Sequence, residues 1–173
     1  MKRAPLLACM GVGLAALCAP AVVHFPAQIV YHPSDSVPRG WYRVGPRGSA
    51  DSLHVGSIVL ARLPAGAAAL AAQRGYLPAG IPLLKRIGAV APQRVCIRER
   101  VVHIDGVAVA TALAHDGRHR PLHTWSQCRA LAGGELFLLS DTSPASFDSR
   151  YFGPIAASTV IGLAQPMWTW GAP

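Results

Sequence analysis

Seventeen glycines and fifteen prolines are distributed through 173 residues. Proline fixes φ and removes a backbone donor, and glycine weakens a helix interior, so a chain punctuated this densely has little room for long helices. What fits between the breakers is a series of short strands. Residues 40–44 alternate apolar and polar, and residues 57–62 follow after a Gly/Ser/Asp-rich turn. Residues 82–90 and 94–104 read as further strands, with Asp105-Gly106 turning the chain into residues 107–109. Residues 135–140 and 160–164 complete the set, and residues 111–134, rich in His, Arg and Gly, read as loop. One segment escapes the pattern. Residues 67–74 are mostly alanine and end at Gly75, which predicts a helix near residues 66 to 75. The expected body is mainly β with one short helix.

Ahead of that body, Lys2 and Arg3 precede residues 6–23, which carry no charge. With Ala4 and Pro5 the run is long enough to cross a bilayer. The two basic residues would stay in the cytoplasm and everything after His24 would lie on the far side. The expectation is an anchor over residues 1–30 and an exported domain over residues 31–173, single-pass in the inner (cytoplasmic) membrane with its body on the periplasmic or extracytoplasmic side. A cleavable signal ending at Ala19-Pro-Ala21 is the alternative, with proline a poor middle residue for such a site. Either reading exports the body. Cys9 and Cys18 then sit in the apolar run, while Cys96 and Cys128 meet an oxidising compartment that favours a disulfide. The net charge of +8 comes from dispersed arginines, with no basic run interleaved with aromatics. That argues against a nucleic-acid partner and for a basic surface facing anionic lipid.

Only two lysines stand beside fourteen arginines, and one of them, Lys85, lies inside the apolar run 81–90. Burial can strip a lysine of its proton near neutral pH, which arginine does not permit. Strand alternation places Leu83, Lys85 and Ile87 on one face among apolar neighbours. Upstream, Pro33-Ser-Asp-Ser-Val-Pro-Arg-Gly-Trp-Tyr42 holds Ser36 between two prolines that restrict the backbone. A serine needs a base within reach to act as a nucleophile, and a desolvated lysine is such a base. A third segment, residues 139–153, follows a buried strand and is dense in side chains that bond locally, with Asp148 and Arg150 able to pair.

The three segments in this order resemble the signal peptidase I superfamily, and more closely its TraF-type, conjugative-transfer branch of pilin-maturation proteases. The Pro33–Tyr42 turn resembles the first motif, Lys85-Arg-Ile-Gly-Ala-Val90 the second, and Asp148-Ser-Arg-Tyr-Phe-Gly153 the third. The resemblance implies a signal-peptidase-like β-barrel body behind an N-terminal transmembrane helix. It implies Ser36 as nucleophile, Lys85 as general base, Ser34 with the Ser36 N–H as oxyanion donors, and Ser146 as hydrogen-bond partner of the lysine. Asp148 and Arg150 become structural supports. Val37 stands in place of the usual Met, and Ala91-Pro-Gln93 in place of a Pro-Gly-Asp stretch, departures that bear on substrate preference.

The resemblance therefore implies a membrane-anchored serine endopeptidase without cofactor or metal, acting on an exported precursor such as a conjugative pilin, with ring closure of the product as one outcome. The alternative class is a non-catalytic, membrane-tethered assembly factor that keeps the scaffold. Two other constellations compete for the chemistry. His115, His119 and His123 recur at helical spacing, but Gly117 and Pro121 interrupt them and favour a solvated loop. A Ser-His-Asp triad through His24 or His32 meets the objection that four residues along a proline-rich turn is an awkward distance for a base. Trp41 and Phe152 are expected to give the mouth of the site an apolar surface that dips into lipid.

Overall fold

The computed structural model describes residues 9–10, 12–13, 28–48, 53–140 and 142–170. The expected membrane anchor and the competing signal cleavage site therefore fall outside the described residues, except for Cys9, Met10, Val12 and Gly13, which are helical. Among the described residues no helix is long and apolar enough to cross a membrane.

The chain runs β1 (Gln28–His32), β2 (Arg39–Val44), β3 (Ile58–Ala61), α1 (Ala65–Arg74), β4 (Leu83–Val90), β5 (Arg94–Arg98), β6 (Val101–Ile104) and β7 (Val107–Thr111). It continues through β8 (Cys128–Ala130), β9 (Glu135–Leu139), α2 (Ser149–Phe152), β10 (Ile155–Ala156), a 3-10 turn at Ala157–Thr159 and β11 (Val160–Trp170). The mainly β expectation holds, and α1 lies where the alanine run predicted it. Gly75 ends that helix at φ 73°, a left-handed conformation that glycine adopts without steric cost, and its N–H reaches the Ala71 and Ala72 carbonyls.

The strands form two antiparallel sheets, one of seven strands in the order β1-β2-β11-β3-β4-β9-β10 and one of four in the order β7-β6-β5-β8. The expected barrel is corrected here: the seven-stranded ladder ends at β1 and at the two-residue β10, and these do not pair to close it. A second short helix, α2, joins the one anticipated. Within the segment read as loop, β8 forms because Cys96 and Cys128 are direct cross-strand partners and are disulfide-bonded. The expected disulfide is present.

Strand patterning explains how the core is placed. In β2, Gly40, Tyr42 and Val44 point inward while Arg39, Trp41 and Arg43 point out. Val37, Tyr42, Val44, Leu60, Leu84 and Ala164 pack beneath the turn that bears Ser36. In β4 the burial is two-sided: Leu83 and Ile87 pack with Val59 and Leu138, whereas Leu84 joins the cluster under the turn. Lys85, opposite Val59 in register, is enclosed by this arrangement. Trp41, Trp168 and Trp170 remain exposed on the β2–β11 face, with Tyr31 of β1 beside Trp41 and Trp170. Phe152 does not share that face; it packs partly buried against the core, contrary to its expected place at the mouth.

Candidate active site

The turn that carries Ser36 is the connection between β1 and β2, whose register pairs His32 with Gly40. Its backbone is held from a distant part of the chain. Ser140 Oγ donates to the Ser36 carbonyl at 2.9 Å, and Thr142 Oγ1 donates to the Asp35 carbonyl. Tyr42 donates its hydroxyl to the Pro38 carbonyl, and Arg39 pairs with the exposed Asp35 carboxylate at 2.6 and 2.8 Å. Val37, wholly buried, anchors the turn in the core. The conformation of Ser36 is therefore over-determined by contacts from two segments.

Ser36, Ser34 and His32 form a closed triangle of polar atoms. Ser34 Oγ lies 3.1 Å from Ser36 Oγ and 2.9 Å from His32 Nε2, and His32 Nε2 lies 3.2 Å from Ser36 Oγ. Both Ser36 and His32 are buried. Burial, with the positive charge of Lys85 adding to it and Asp35 opposing, pushes the His32 pKa down to about 4, so the ring is neutral at neutral pH. The objection raised from sequence is thus corrected. Because His32 ends β1 and the turn folds back at once, its ring reaches the hydroxyl four residues later.

Lys85 is only 3% exposed. Desolvation lowers its pKa from 10.5 to about 8; Asp148 works in the opposite sense and Arg150 in the same. Its Nζ donates to Ser146 Oγ, the partner named from the motif. Among the described residues no hydrogen bond joins Lys85 Nζ to Ser36 Oγ, although both side chains line the same cavity of about 630 Å³. Ser34, His32 and Ser146 line it too, and its remaining wall is largely leucine, isoleucine and aromatic.

The segment that delivers Ser146 is fixed by a buried ion pair. Arg150 Nε lies 2.8 Å from Asp148 Oδ1, with the two side chains 1% and 0% exposed. Arg150 also donates to the carbonyls of Thr111 at 2.8 Å and Ser146 at 3.0 Å, and Asp148 accepts from the N–H groups of Ser140 and Arg150. These bonds satisfy a guanidinium and a carboxylate that are both out of water. Asp148 is the N-cap of α2, and Ser149 Oγ accepts from the Leu138 N–H at 2.9 Å, tying α2 to β9. Gly153 closes the motif at φ 79°, where an added Cβ would stand 2.6 Å from Trp125 Cδ1.

The histidines at 115, 119 and 123 do not converge. No group of three or more His, Cys, Asp or Glu side chains is arranged to hold a metal among the described residues. Their loop is organised instead by Asp116, which accepts from Tyr76 and from Arg120 Nε at 2.7 Å. Sequence reasoning missed Ser140 and Thr142 as clamps of the turn. The density of hydroxyls after β9 was the signal available.

Comparison with known proteins accords with this arrangement. The sequence matches the signal peptidase, peptidase S26, family over residues 3–170, and the chain belongs to that family. It is 41% identical over 108 residues to a probable conjugal transfer protein TraF of Sinorhizobium fredii, covering 58% of this chain and 56% of that protein. It is 33% identical over 109 residues to a plasmid transfer protein TraF of Escherichia coli, covering 58% and 62%. The match thus spans less than two thirds of these relatives' own length. The crystal structure of a signal peptidase I from Enterococcus faecalis superposes over 64% of this chain and 94% of that one, at 19% identity and a TM-score of 0.39, too loosely to carry an argument.

Proposed function

We propose that this chain is a membrane-anchored serine endopeptidase in which Ser36 is the nucleophile and Lys85 the general base. The observation that carries the reading is the enclosure of the Lys85 amine, its pKa drawn down to about 8, in the cavity that also receives the Ser36 hydroxyl. An amine poised near ambient pH is matched to proton abstraction. Lys85 releases Ser146, takes the Ser36 proton as substrate enters, and later returns it to the departing amine. Ser36 Oγ attacks the peptide carbonyl to form an acyl-enzyme. The oxyanion is received by the Ser34 hydroxyl and the Ser36 N–H, one such donor being worth about 3 kcal/mol in the transition state. Water then releases the acyl group, or the substrate's own amine does so to close a ring. Catalytic hydrogen bonds are often long or poorly aligned in a resting site and tighten in the substrate complex, so a resting Lys85 held on Ser146 is compatible with the role.

The substrate is an exported precursor, and the conjugal-transfer names of the relatives favour a pilin or another transfer-apparatus precursor. The apolar run 6–23 anchors the body on the periplasmic side of the inner membrane, where the exposed Trp41, Trp168 and Trp170 face lipid. Proximity to emerging precursor then replaces a search through solution. No nucleic acid, metal or cofactor takes part.

The test is processing of a co-expressed pilin precursor by the wild type and by Ser36→Ala, Lys85→Ala and Lys85→Arg. All three variants are expected to lose processing, the arginine included, because it retains its proton. Undiminished processing by any of them sinks the dyad and leaves the assembly-factor reading. The mass of the product separates its two fates: a ring is lighter than the linear peptide by one water.

A further inference from the structure

The strand–turn junction brings an imidazole to the two serine hydroxyls, and the dyad makes no use of it. We propose that His32 is a positioning residue of the site, its Nε2 lone pair holding Ser36 Oγ turned into the cavity with Ser34 Oγ packed beside it. The inference rests on the reading of Ser36 as nucleophile and adds a residue to it.

The geometry carries the proposal. His32 Nε2 is the only titratable side-chain atom hydrogen-bonded to Ser36 Oγ among the described residues, at 3.2 Å, and it is closer still to Ser34 Oγ, at 2.9 Å. The two hydroxyls are themselves 3.1 Å apart, so each of the three polar groups constrains the other two. The ring is held from behind, edge-on to the fully buried Tyr42 at 6.4 Å between centroids. A lone serine hydroxyl would sample three χ1 wells. Tied to Nε2, its oxygen stays in one of them, at the wall of the cavity that Lys85 also lines. Ser34, which also borders the cavity, keeps its hydroxyl beside the oxygen that will attack.

The role requires a neutral ring with the proton on Nδ1. A protonated Nε2 would occupy the Ser36 lone pair needed for attack. The surroundings favour neutrality: burial and the Lys85 charge oppose an imidazolium, and the Asp35 carboxylate that would support one is exposed and engaged by Arg39. Proton abstraction itself stays with Lys85, whose higher pKa makes it the stronger base.

Two measurements on the full chain in detergent test the proposal. The first is acylation by p-nitrophenyl acetate, read as release of p-nitrophenolate when Ser36 Oγ takes the acetyl group. His32→Phe keeps a ring against Tyr42 but lacks an acceptor. It is expected to acylate about tenfold more slowly with little change in the ester concentration for half-saturation and an unchanged thermal midpoint, and His32→Gln is expected to recover part of the loss. Acylation of His32→Phe at the wild-type rate overturns the role of His32. Wild-type acylation no faster than that of Ser36→Ala overturns the nucleophile reading beneath it. The second is the ¹⁵N spectrum of His32 at pH 7, expected to show Nδ1 protonated and Nε2 bare. A proton on Nε2 also overturns the proposal.

Discussion

Lys85 Nζ donates to Ser146 Oγ across 61 residues of sequence, joining the middle of β4 to the loop that precedes α2. The bond makes the orientation of the amine depend on a segment that is itself fixed by Asp148 and Arg150. Burial of the amine and its aim are separate achievements. The leucine-rich strand supplies the first, and the third motif supplies the second.

The neutral amine is the active form in the proposed mechanism, so activity follows deprotonation of Lys85. Below about 8, kcat/KM for any substrate is expected to fall tenfold for each unit of pH, with a plateau above. Initial rates between pH 5.5 and 10 measure this. A midpoint near 10.5 would show an unperturbed lysine and defeat the assignment.

The same depression has a cost in stability, and its sign is definite. Below about 8 both folded and unfolded chains carry the proton, and the folded one bears the whole desolvation cost. That cost is relieved as pH rises from about 8 to 10.5, where only the unfolded chain remains protonated. The shift corresponds to about 3 kcal/mol at pH 6. Lys85→Met, apolar and of similar length, is therefore expected to stabilise the fold at pH 6 by about 2 kcal/mol, the remainder being offset by the unpaired Ser146 hydroxyl. The gain should fade by pH 10.5 while activity is lost throughout. Thermal midpoints of both proteins across this range check it, and a destabilised variant at pH 6 would contradict it.

Asp148→Ala leaves the Arg150 guanidinium buried without its counter-charge and removes the acceptor of the Ser140 N–H. Loss of about 3–5 kcal/mol is expected. Urea unfolding measures it, and a cost below about 1 kcal/mol would mean that the pair does not hold the loop. Replacing both residues with apolar side chains should cost less than replacing Asp148 alone.

Reduction of the Cys96–Cys128 disulfide, or its replacement by two serines, opens a loop with a sequence separation of 32. The expected loss is about 4 kcal/mol by the chain-entropy argument. Chemical denaturation with and without reductant reads it directly, and unchanged stability would mean that the β5–β8 pairing persists without the bridge.

Much of this arrangement is legible in the sequence because motif spacing and strand patterning agree. Lys85 stood out as an isolated amine in an apolar run, the Asp148–Arg150 pair was visible in the third segment, and Ser146 followed only from the family resemblance. Less legible were elements whose formation depends on partners elsewhere. β1 follows directly on the apolar N-terminal run, so no contrast in composition marks its start. β8 has three residues and owes its register to a disulfide partner rather than to alternation. The second half of β11 contains Pro166, which reads as a strand breaker, yet a register shift between Pro166 and Trp168 accommodates it. His32 was discounted because distance along the chain was taken as distance in space, and a hairpin-like return makes the two unequal. Closure of a barrel is a property of the ladder's ends, which no local pattern encodes.

Two strands, β11 and β3, separate the two halves of the site. β11 pairs with β2, which follows the Ser36 turn, through Ala164–Trp170, and with β3, the neighbour of Lys85's strand, through Val160–Leu163. In a flat sheet β2 and β4 would stand three spacings apart, ~14 Å, yet Ser36 and Lys85 face a common space. Register shifts in β11 and β4 supply the bending that a flat sheet lacks. That both side chains line one cavity therefore depends on the path of the backbone as well as on their own chemistry. A substitution that relaxed β11 could disarm the pair while leaving every polar side chain in place.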